Sequence, residues 1–516
     1  MISPLLRRFA LGCCLTATVA AVAARAASVG EPERFVFHHE NVLGTSMELR
    51  LRARDANSAA RAESIALAEI DRLARIFSSY SPDSEFSRWQ RTRGEAVAIT
   101  PELFEVLDQC DRWRTVSHGA FNPTAEVFSR LWKSASATQK EPSSEQLSAA
   151  ALQANRPAWS LDRAHGTATH LSDAPLTLNA IAKGFIIERA SLRAQNTEGV
   201  EGVMLEIGGD LRVRGRFTET IALTDPRHDA ENVTPIGTVT LRDSALTTSG
   251  NYRRGTDAAG RHRSHIIDPR SGEPADHVLG ATVIAADTTT ADALSTTFSV
   301  MDPIESLRVA DATPGVACLL TLADGRTVRS TRWPESGPTL VVDDLKPGSA
   351  KPSASKAETS MELAVDFELG RAEGERYRRP YVAIWVEDTD GFPVRTVLLW
   401  VLQSPKGARW IPDLRRWRRS DDTRRLADDK DLVTTTSGAT RNPGKYSVVW
   451  DGKDDAGVAV KPGKYTLYVE AAREHGPYSL VKHEFTLGEQ PFNATLKGNE
   501  DIQGATLELR RRSARK

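Results

Sequence analysis

The chain has 516 residues, of which 40% are hydrophobic and 26% charged, and its formal net charge is −1. This composition is typical of globular proteins. The near-zero net charge excludes the strong field that is typical of proteins binding nucleic acid or an anionic membrane. A chain of this length exceeds one ordinary domain, so we expect two or three.

The first residues have the pattern of an export signal. Arg7 and Arg8 form a charged start, and residues 11–24 are apolar or small. Small residues follow at a suitable cleavage point, so residues 1–27 predict a cleaved signal peptide and an exported, periplasmic protein. Cys13 and Cys14 suggest a lipoprotein anchor, but almost no apolar stretch precedes them, and we discount it. No other segment is apolar for long enough to span a bilayer.

Residues 32–342 mix helical and strand patterns in an order typical of an α+β domain. Alternation of apolar and polar residues predicts two strands around Gly44 and two more around the pair Gly208-Gly209. Apolar residues at helical spacing predict four helices: Ser58 to Phe77, Pro101 to Val116, Ala180 to Ala194 and Ala291 to Met301.

Residues 343–360 are rich in Pro, Ser, Ala and Lys, which is typical of a linker. Residues 361–490 contain six short alternating or apolar runs, several of them separated by turn residues, which predicts an all-β sandwich. Residues 491–516 are expected to form a tail with a disordered basic end. Five of the ten Trp are expected in the core of the sandwich: Trp385, Trp400, Trp410, Trp417 and Trp450.

Only two cysteines remain after the predicted signal peptide, Cys110 and Cys318. Cys110 lies in a helix-like run and Cys318 in the apolar run VACLLTL, and two buried free thiols are the simplest interpretation. A disulfide between them is the alternative in an oxidising compartment.

Two short motifs predict a site for phosphoryl transfer. Asp292 and Thr296 are four residues apart in ADALST, so a helix presents both oxygen ligands on one face. One carboxylate and one hydroxyl suit Mg²⁺ that substrate phosphates also hold. His265, in HIIDPRSG, can take a proton. The alternatives are that Asp292 only stabilises the N-terminus of a solvated helix and that His265 is structural.

Eight motifs, in order along residues 35–335, resemble those of the ApbE-type FAD:protein FMN transferases. Each motif alone is weak, but the ordered set is specific. The second region resembles uncharacterised β-domains that are often fused to such transferases. The eight motifs are LGTSMEL (43–49), FSSYSPDSEFSRW (77–89), GAFNPT (119–124), LNAIAKG (178–184), EIGGD (206–210), TSGNY (248–252), HIIDPRSG (265–272) and ADALSTTF (291–298).

The resemblance implies an Mg²⁺-dependent reaction in which an acceptor Thr hydroxyl attacks the FMN-side phosphorus of FAD and AMP leaves. The product in this family is a flavin linked through a phosphoester to an exported electron-transfer protein. By match to the family, Asp292, Thr296 and the backbone carbonyl of Ala180 are expected to hold Mg²⁺. His265 is the candidate base, with Asp268 as its orienter or an alternative base. The residues expected to line the flavin nucleotide are Leu43, Tyr80, Ala120, Phe121, Asn122, Thr177, Lys183, Ile266 and Ser295.

The chain departs from the family pattern at three of these positions. Asn122 and Thr177 stand where the family usually has acidic residues, and Leu43 replaces a usual Met. The amide and the hydroxyl can still hydrogen-bond a nucleotide, but the accepting carboxylates are lost. Asp210 and Ser249 are interpreted as turn residues.

The second region contains SGAT at residues 437–440, which resembles the Ser/Thr-Gly-Ala-Thr acceptor motif that these transferases modify. Our hypothesis is that Thr440 carries FMN, attached in cis or by a neighbouring copy. The alternative is an ordinary polar turn, in which Ser, Gly and Thr are common.

The sequence leaves other functions open. One is an Mg²⁺-dependent FAD pyrophosphatase, in which water replaces the acceptor hydroxyl. Another is an electron carrier with covalent FMN that modifies only itself. A third is a partner-binding sandwich joined to an inactive enzyme domain.

Overall fold

The computed structural model describes residues 32–138, 140–227, 235–250, 255–258, 261–334, 361–370, 378–402, 405–425, 431–473, 478–488 and 490–512. The predicted signal peptide (1–27) and linker (343–360) lie outside these residues. Within them, no helix has both the length and the apolar character needed to cross a membrane.

The N-terminal domain contains strands and helices in mixed order. Its strands are β1 (Glu33–Val42), β2 (Thr45–Ala53), β3 (Ala96–Ala98), β4 (Trp159–Asp162), β5 (Thr167–His170), β6 (Val200–Ile207), β7 (Asp210–Gly215), β8 (Glu219–Leu223), β9 (Gly237–Leu241), β10 (Ala245–Gly250), β11 (Gly255–Ala258), β12 (Arg261–Ser264), β13 (Val278–Ala285), β14 (Ala317–Leu322) and β15 (Thr327–Arg329). Its helices are α1 (Ala56–Phe77), α2 (Glu85–Gln90), α3 (Pro101–Val116), α4 (Glu126–Thr138), α5 (Ser144–Ala154), α6 (Ala182–Gln195), α7 (Thr288–Phe298) and α8 (Pro303–Ala312).

An antiparallel sheet in the order β1-β2-β6-β7-β10-β13-β14-β15 forms the centre of this domain. Helices α1, α6 and α7 pack together on one face of the sheet, where the largest apolar core lies. A smaller core on the other face is covered by the β8–β9 ribbon. The sheet thus has helices on one side and a short ribbon on the other, which is an α+β arrangement.

The four predicted helices are confirmed as α1, α3, α6 and α7, with ends shifted by up to three residues. Their start signals are visible in the sequence. Asp55 caps α1 by accepting from the Ser58 N–H at 2.7 Å, and Asp287 caps α7 by accepting from Thr290 at 2.8 Å. The prediction of buried free thiols is also confirmed, for Cys110 and Cys318. The disulfide alternative is wrong.

The C-terminal domain is built mainly of strands, as predicted. Its strands are β16 (Met361–Leu369), β17 (Tyr381–Asp388), β18 (Pro393–Trp400), β19 (Gly444–Trp450), β20 (Gly463–Ala472), β21 (Tyr478–Leu487), β22 (Phe492–Lys497) and β23 (Ile502–Arg511). Its helices are α9 (Pro405–Ala408), α10 (Arg415–Arg425) and α11 (Leu432–Thr435).

Two four-stranded antiparallel sheets, β19-β16-β23-β22 and β18-β17-β20-β21, form a sandwich. Apolar residues from both sheets meet in one core, which includes Trp400 and Trp450. The predicted sandwich is therefore confirmed.

The expected tail from residue 491 is wrong. Strands β22 and β23 occupy this segment, and β23 pairs with both β16 and β22. The alternation that makes β23 a strand was present in the sequence, with Leu507 and Leu509 buried and Thr506 and Arg510 exposed. The run of basic residues that begins at Arg510, at the end of the strand, concealed it, because that run alone suggested a disordered end.

Helices α9 to α11 are an addition to the predicted all-β domain. They lie between β18 and β19, and Leu414, Trp417 and Leu432 pack on the outer face of the β17 sheet. Helix α10 reads RRWRRSDDTRR, in which Trp417 is the lone apolar residue, so no apolar periodicity predicts a helix there.

Candidate active site

A cleft of about 1350 Å³ lies beside the central sheet and is lined by both domains. Strands β2, β6, β7 and β10 and helix α7 contribute its N-terminal walls. The C-terminal domain closes one side with Arg379, which lies just before β17, and with residues of the loop before β19 and of its start: Thr440, Arg441, Asn442, Gly444, Lys445 and Tyr446.

The predicted pair Asp292 and Thr296 lies on α7, and both side chains line the cleft. Asp292 is buried, with 5% of its surface exposed, and accepts a hydrogen bond from the Gly184 N–H at 2.8 Å. A Cβ at Gly184 would lie 2.4 Å from the Thr288 carbonyl oxygen and 2.6 Å from Asp292 Cβ. Only glycine therefore lets α6 approach α7 closely enough for this hydrogen bond.

Asp210 is a site residue that sequence reasoning missed. It follows the Gly208-Gly209 turn, is buried, and pairs with Lys183, whose Nζ lies 2.8 Å from its carboxylate. The two glycines have positive φ, which explains the turn interpretation, but the carboxylate after them lines the cleft rather than solvent. The sequence carries no signal that separates these two outcomes.

The electrostatics of the cleft follow from two buried carboxylates, Asp292 and Asp210, of which the second repels the first. Burial and then repulsion from Asp210 raise the pKa of Asp292 to about 7, against the opposing effects of Lys183 and the Gly184 hydrogen bond. Burial also raises the pKa of Asp210, and Lys183 opposes this shift. Ionisation of both carboxylates is therefore costly until a cation approaches.

A small hydroxyl network supports Thr296. The Ser249 hydroxyl lies 2.8 Å from the Ser295 hydroxyl and 3.3 Å from that of Thr296. Ser249 also lines the cleft, so its interpretation as a turn residue missed this contact. Ser295 is fully buried and also donates to the Asp292 carbonyl oxygen at 3.0 Å.

These donors fit Mg²⁺. The Asp292 carboxylate and the Thr296 hydroxyl are hard oxygen ligands, and Ala180 lines the same cleft. The raised pKa of Asp292 means that a divalent cation would relieve an existing electrostatic cost. No cluster of three or more His, Cys, Asp and Glu side chains suited to a metal occurs in the described segments. The predicted ligand set differs from such a cluster, since it consists of one carboxylate, one hydroxyl and one backbone carbonyl.

The residues expected around the nucleotide divide into two groups. Most line the cleft: Ala120, Phe121, Asn122, Thr177, Lys183 and Ile266. Three are not among the lining residues in the described structure: Leu43, Tyr80 and Ser295.

Two of these three lie at the edge of the cleft. Leu43 precedes the lining residue Gly44 and has a φ of 51°. Tyr80 is 84% exposed, and its hydroxyl accepts a hydrogen bond at 3.1 Å from Asn179, which lines the cleft.

Asn122 is committed to the fold. Its side-chain amide donates to the Ala154 carbonyl at 3.3 Å, and its oxygen accepts from the Thr124 N–H at 3.1 Å. It therefore caps the short turn at Pro123–Ala125. An amide supplies both the donor and the acceptor, whereas an ionised carboxylate supplies acceptors only.

His265 is exposed at the cleft, but the structure does not unite it with Asp268 as expected. Asp268 pairs with Arg270, whose Nη2 lies 2.8 Å from its carboxylate, and it is not among the described residues that line the cleft. The geometry gives Asp268 a local partner on its own turn.

Comparison with known proteins identifies two families along the chain. The model of the ApbE family matches residues 43–320, more than half of the chain. A model described as a predicted periplasmic protein (DUF2271) matches residues 362–504. The predicted resemblance and the division into an α+β and an all-β region are confirmed.

Relatives and solved structures agree with this division. A protein named FAD:protein FMN transferase from Vibrio cholerae serotype O1 is 32% identical over 260 residues, which cover 47% of this chain and 75% of the relative. A protein of the same name from Haemophilus influenzae is 31% identical, covering 45% and 70%. The crystal structure of the ApbE protein from Thermotoga maritima covers 58% of this chain and 97% of its own, with 28% identity and a TM-score of 0.51. The chain therefore belongs to the ApbE family.

Proposed function

We propose that the N-terminal domain catalyses the Mg²⁺-dependent transfer of FMN from FAD to a threonine hydroxyl of an exported protein, releasing AMP. The observation that carries the proposal is the presentation of Asp292 and Thr296 by α7 into a cleft that also holds the Lys183–Asp210 ion pair. The names of the relatives from V. cholerae and H. influenzae support the same reaction.

In this reaction the acceptor oxygen bonds to the FMN-side phosphorus, and the bond from that phosphorus to the bridging oxygen breaks. AMP leaves with the bridging oxygen. The hydroxyl proton passes to a base, for which His265 at the cleft is our candidate and Asp268 the alternative. Because a neutral hydroxyl is a poor nucleophile, charge on the phosphate oxygens must also be reduced.

The cleft residues suit a pyrophosphate flanked by an apolar ring. Mg²⁺ held by Asp292, Thr296 and the Ala180 carbonyl would neutralise charge on the phosphate oxygens. Lys183 supplies a compact positive charge beside the same groups. Ala120, Phe121 and Ile266 are apolar lining residues and suit the flavin ring.

The acceptor that we propose includes the chain itself, at Thr440. The observation favouring this second candidate is that Thr440 lines the same cleft as Asp292, Thr296 and His265. A covalent FMN on this residue would make the C-terminal domain an electron carrier. Separate exported polypeptides with the same motif remain acceptors in this proposal.

Export to the periplasm is part of the proposal. It is supported by the signal pattern in residues 1–27 and by the match of residues 362–504 to a predicted periplasmic family.

The test is an intact-mass and peptide-mass measurement of the mature chain after incubation with FAD and Mg²⁺. A second polypeptide bearing an acceptor motif is added, and Asp292→Ala and Thr440→Val variants are compared with the unaltered chain. We expect FMN on Thr440 and on the added polypeptide, with AMP released in equal amount, and neither product with Asp292→Ala.

Other outcomes contradict particular parts of the proposal. FMN and AMP released without attachment would identify a pyrophosphatase. Flavin attachment that persists in Thr440→Val at the same level on this chain would reject Thr440 as the acceptor. FMN on Thr440 alone would limit the enzyme to modifying itself.

A further inference from the structure

Arg379 bridges the two domains at the edge of the cleft. It lies just before β17, and its side chain is 9% exposed. It forms an ion pair with Glu40 and donates to the Asn41 side-chain oxygen at 2.6 Å. Its Nε donates to the Asn442 side-chain oxygen at 2.9 Å. One guanidinium thus joins the end of β1 to the loop that carries Thr440.

Glu40 lies next to the loop that carries Thr440, across the boundary between the domains, because Arg379 contacts both Glu40 and Asn442. Thr440 is 4% exposed, so its side chain is surrounded by protein rather than by bulk water. Burial raises the pKa of Glu40, while the charge of Arg379 and then the Thr440 side chain oppose the shift.

The N-terminal side of this contact is a shaped turn. The pairing of β1 with β2 is interrupted between His39 and Val42, so Glu40 and Asn41 lie in an irregular segment. Asn41 has a φ of 63°, in the left-handed region. The same turn leads into Gly44, which lines the cleft. The residues that contact Arg379 and the residue that lines the cleft therefore belong to one short segment, residues 40–44.

The C-terminal side is equally fixed. The Gly438 N–H donates to the Leu399 carbonyl at 2.8 Å, and the Gly438 carbonyl accepts from the Val401 N–H at 3.0 Å. The Arg441 guanidinium lies 5.4 Å from the centre of the Trp400 ring. Thr440 is therefore held between two residues that are anchored to the end of β18.

We propose that Glu40, Asn41 and Arg379 form an acceptor clamp that seats this chain's own Thr440 at the cleft, with Glu40 orienting its hydroxyl towards the FMN-side phosphorus. The inference rests on the proposed function and adds the residues that select the acceptor in cis. A largely buried ion pair between domains contributes little net stability, and the role we assign to it is to fix one register between them. Glu40 is a positioning residue, and the bonds that form and break are those described above.

The test measures, in the full mature chain with FAD and Mg²⁺, the initial rates of FMN attachment to Thr440 and to an added acceptor polypeptide. The readout is the ratio of the first rate to the second. We expect Glu40→Gln and Arg379→Gln each to lower this ratio at least tenfold. Arg379→Lys keeps the charge but loses the planar fork, and it is expected to give an intermediate ratio.

Glu362→Gln is the matched control. It removes an ion pair of 2.8 Å with Arg510 inside the C-terminal domain, away from the cleft-lining residues, and is expected to leave the ratio within twofold of the unaltered chain. Because each ratio is taken within one sample, unfolding of the N-terminal domain lowers both rates and does not imitate the expected result. A thermal melt of each variant verifies that the C-terminal domain, which carries Thr440, remains folded.

An unchanged ratio in Glu40→Gln and Arg379→Gln would overturn the acceptor clamp. FMN on the added polypeptide but never on Thr440 of the unaltered chain would also overturn it, and would leave the transferase proposal standing. Absence of FMN from both acceptors in the unaltered chain would instead refute the proposed function.

Discussion

Buried carboxylates occur in both domains, but their surroundings differ. In the C-terminal domain, Glu387 accepts hydrogen bonds from the Trp385 indole, the Ser420 hydroxyl and the Arg416 guanidinium. In the cleft, Asp292 accepts one backbone hydrogen bond, from Gly184, and is repelled by a second carboxylate, that of Asp210.

The difference distinguishes a structural carboxylate from the one that we propose binds a cation. Three donors around Glu387 compensate the loss of water, so that its charge is stabilised by the fold itself. Asp292 has less compensation, from the charge of Lys183 and one Gly184 hydrogen bond, and its pKa is raised to about 7 by burial and by Asp210. A strongly shifted group in a cleft is a functional candidate on physical grounds.

The largest expected effect is on catalysis, in the variant Asp292→Asn. Transfer of FMN should fall about 1,000-fold or more, since a bound metal supplies several kcal/mol of charge stabilisation. The metal-free variant should nevertheless melt at a higher temperature than the unaltered chain, because a neutral amide removes the repulsion from Asp210. If the variant lost both activity and stability, Asp292 would stabilise the metal-free fold as Glu387 does, and the distinction between the two carboxylates would be wrong.

The second effect is a pH dependence of the metal-free chain. Asp292 ionises near its ordinary pKa when unfolded and at about 7 when folded, so the unfolded chain binds fewer protons between these values. Stability should therefore fall as pH rises from about 4 to about 7, by up to about 4 kcal/mol from this group. Urea unfolding in the presence of a chelator measures this fall in the free energy of unfolding. The Asp292→Asn variant should not show it, because its side chain does not ionise. Added Mg²⁺ should restore most stability at high pH.

The third effect tests whether Glu387 has a structural role alone. Glu387→Gln leaves Arg416 without its charged partner in a largely buried setting. We expect the C-terminal domain to lose about 3 kcal/mol of unfolding free energy, while the rate of FMN transfer to an added polypeptide changes less than twofold. Thermal melts and the transfer assay measure the two quantities. A large loss of transfer without loss of stability would give Glu387 a functional role.

The smallest effect is expected for Ser249→Ala. The change removes the hydroxyl next to Ser295 and Thr296 and should alter stability by about 1 kcal/mol. If the network orients Thr296 for Mg²⁺, the Mg²⁺ concentration for half-maximal transfer should rise by about tenfold. This is the lower end of the loss of metal affinity expected when a residue that supports a metal ligand is removed. Ser299→Ala, on the same helix, is the control, since its hydroxyl bonds to the Ser295 backbone carbonyl. Equal behaviour of the two variants would contradict the orienting role.

Local patterns in the sequence predicted most of the fold. Helices α1 and α3 carry caps and apolar spacing, and the strands of the sandwich alternate visibly. Helix α10 was missed because its stability depends on Trp417 packing against a sheet more than on its own pattern. Strand β23 was missed because it ends in a run of arginines and because its partner β16 lies far away in the chain.

The site was predictable where one helix carries it and unpredictable where distant segments meet. Asp292 and Thr296 share a helix face, so four-residue spacing was enough. Asp210 and Ser249 lie on different strands, and their orientation towards α7 depends on the order of the sheet. The contact of Glu40 with Arg379 spans 339 residues and has no local signature.

The two thiols provide an internal probe for one domain. Cys110 lies on α3 and Cys318 on β14, whereas the C-terminal domain contains no cysteine. Burial raises the pKa of Cys318 to about 12 and that of Cys110 well above its ordinary value, so neither forms a reactive thiolate while the fold is closed. Alkylation at mildly alkaline pH should therefore count openings of the N-terminal domain alone, in the intact chain and without an added label. The method would reveal whether flavin loading or docking of the sandwich slows those openings.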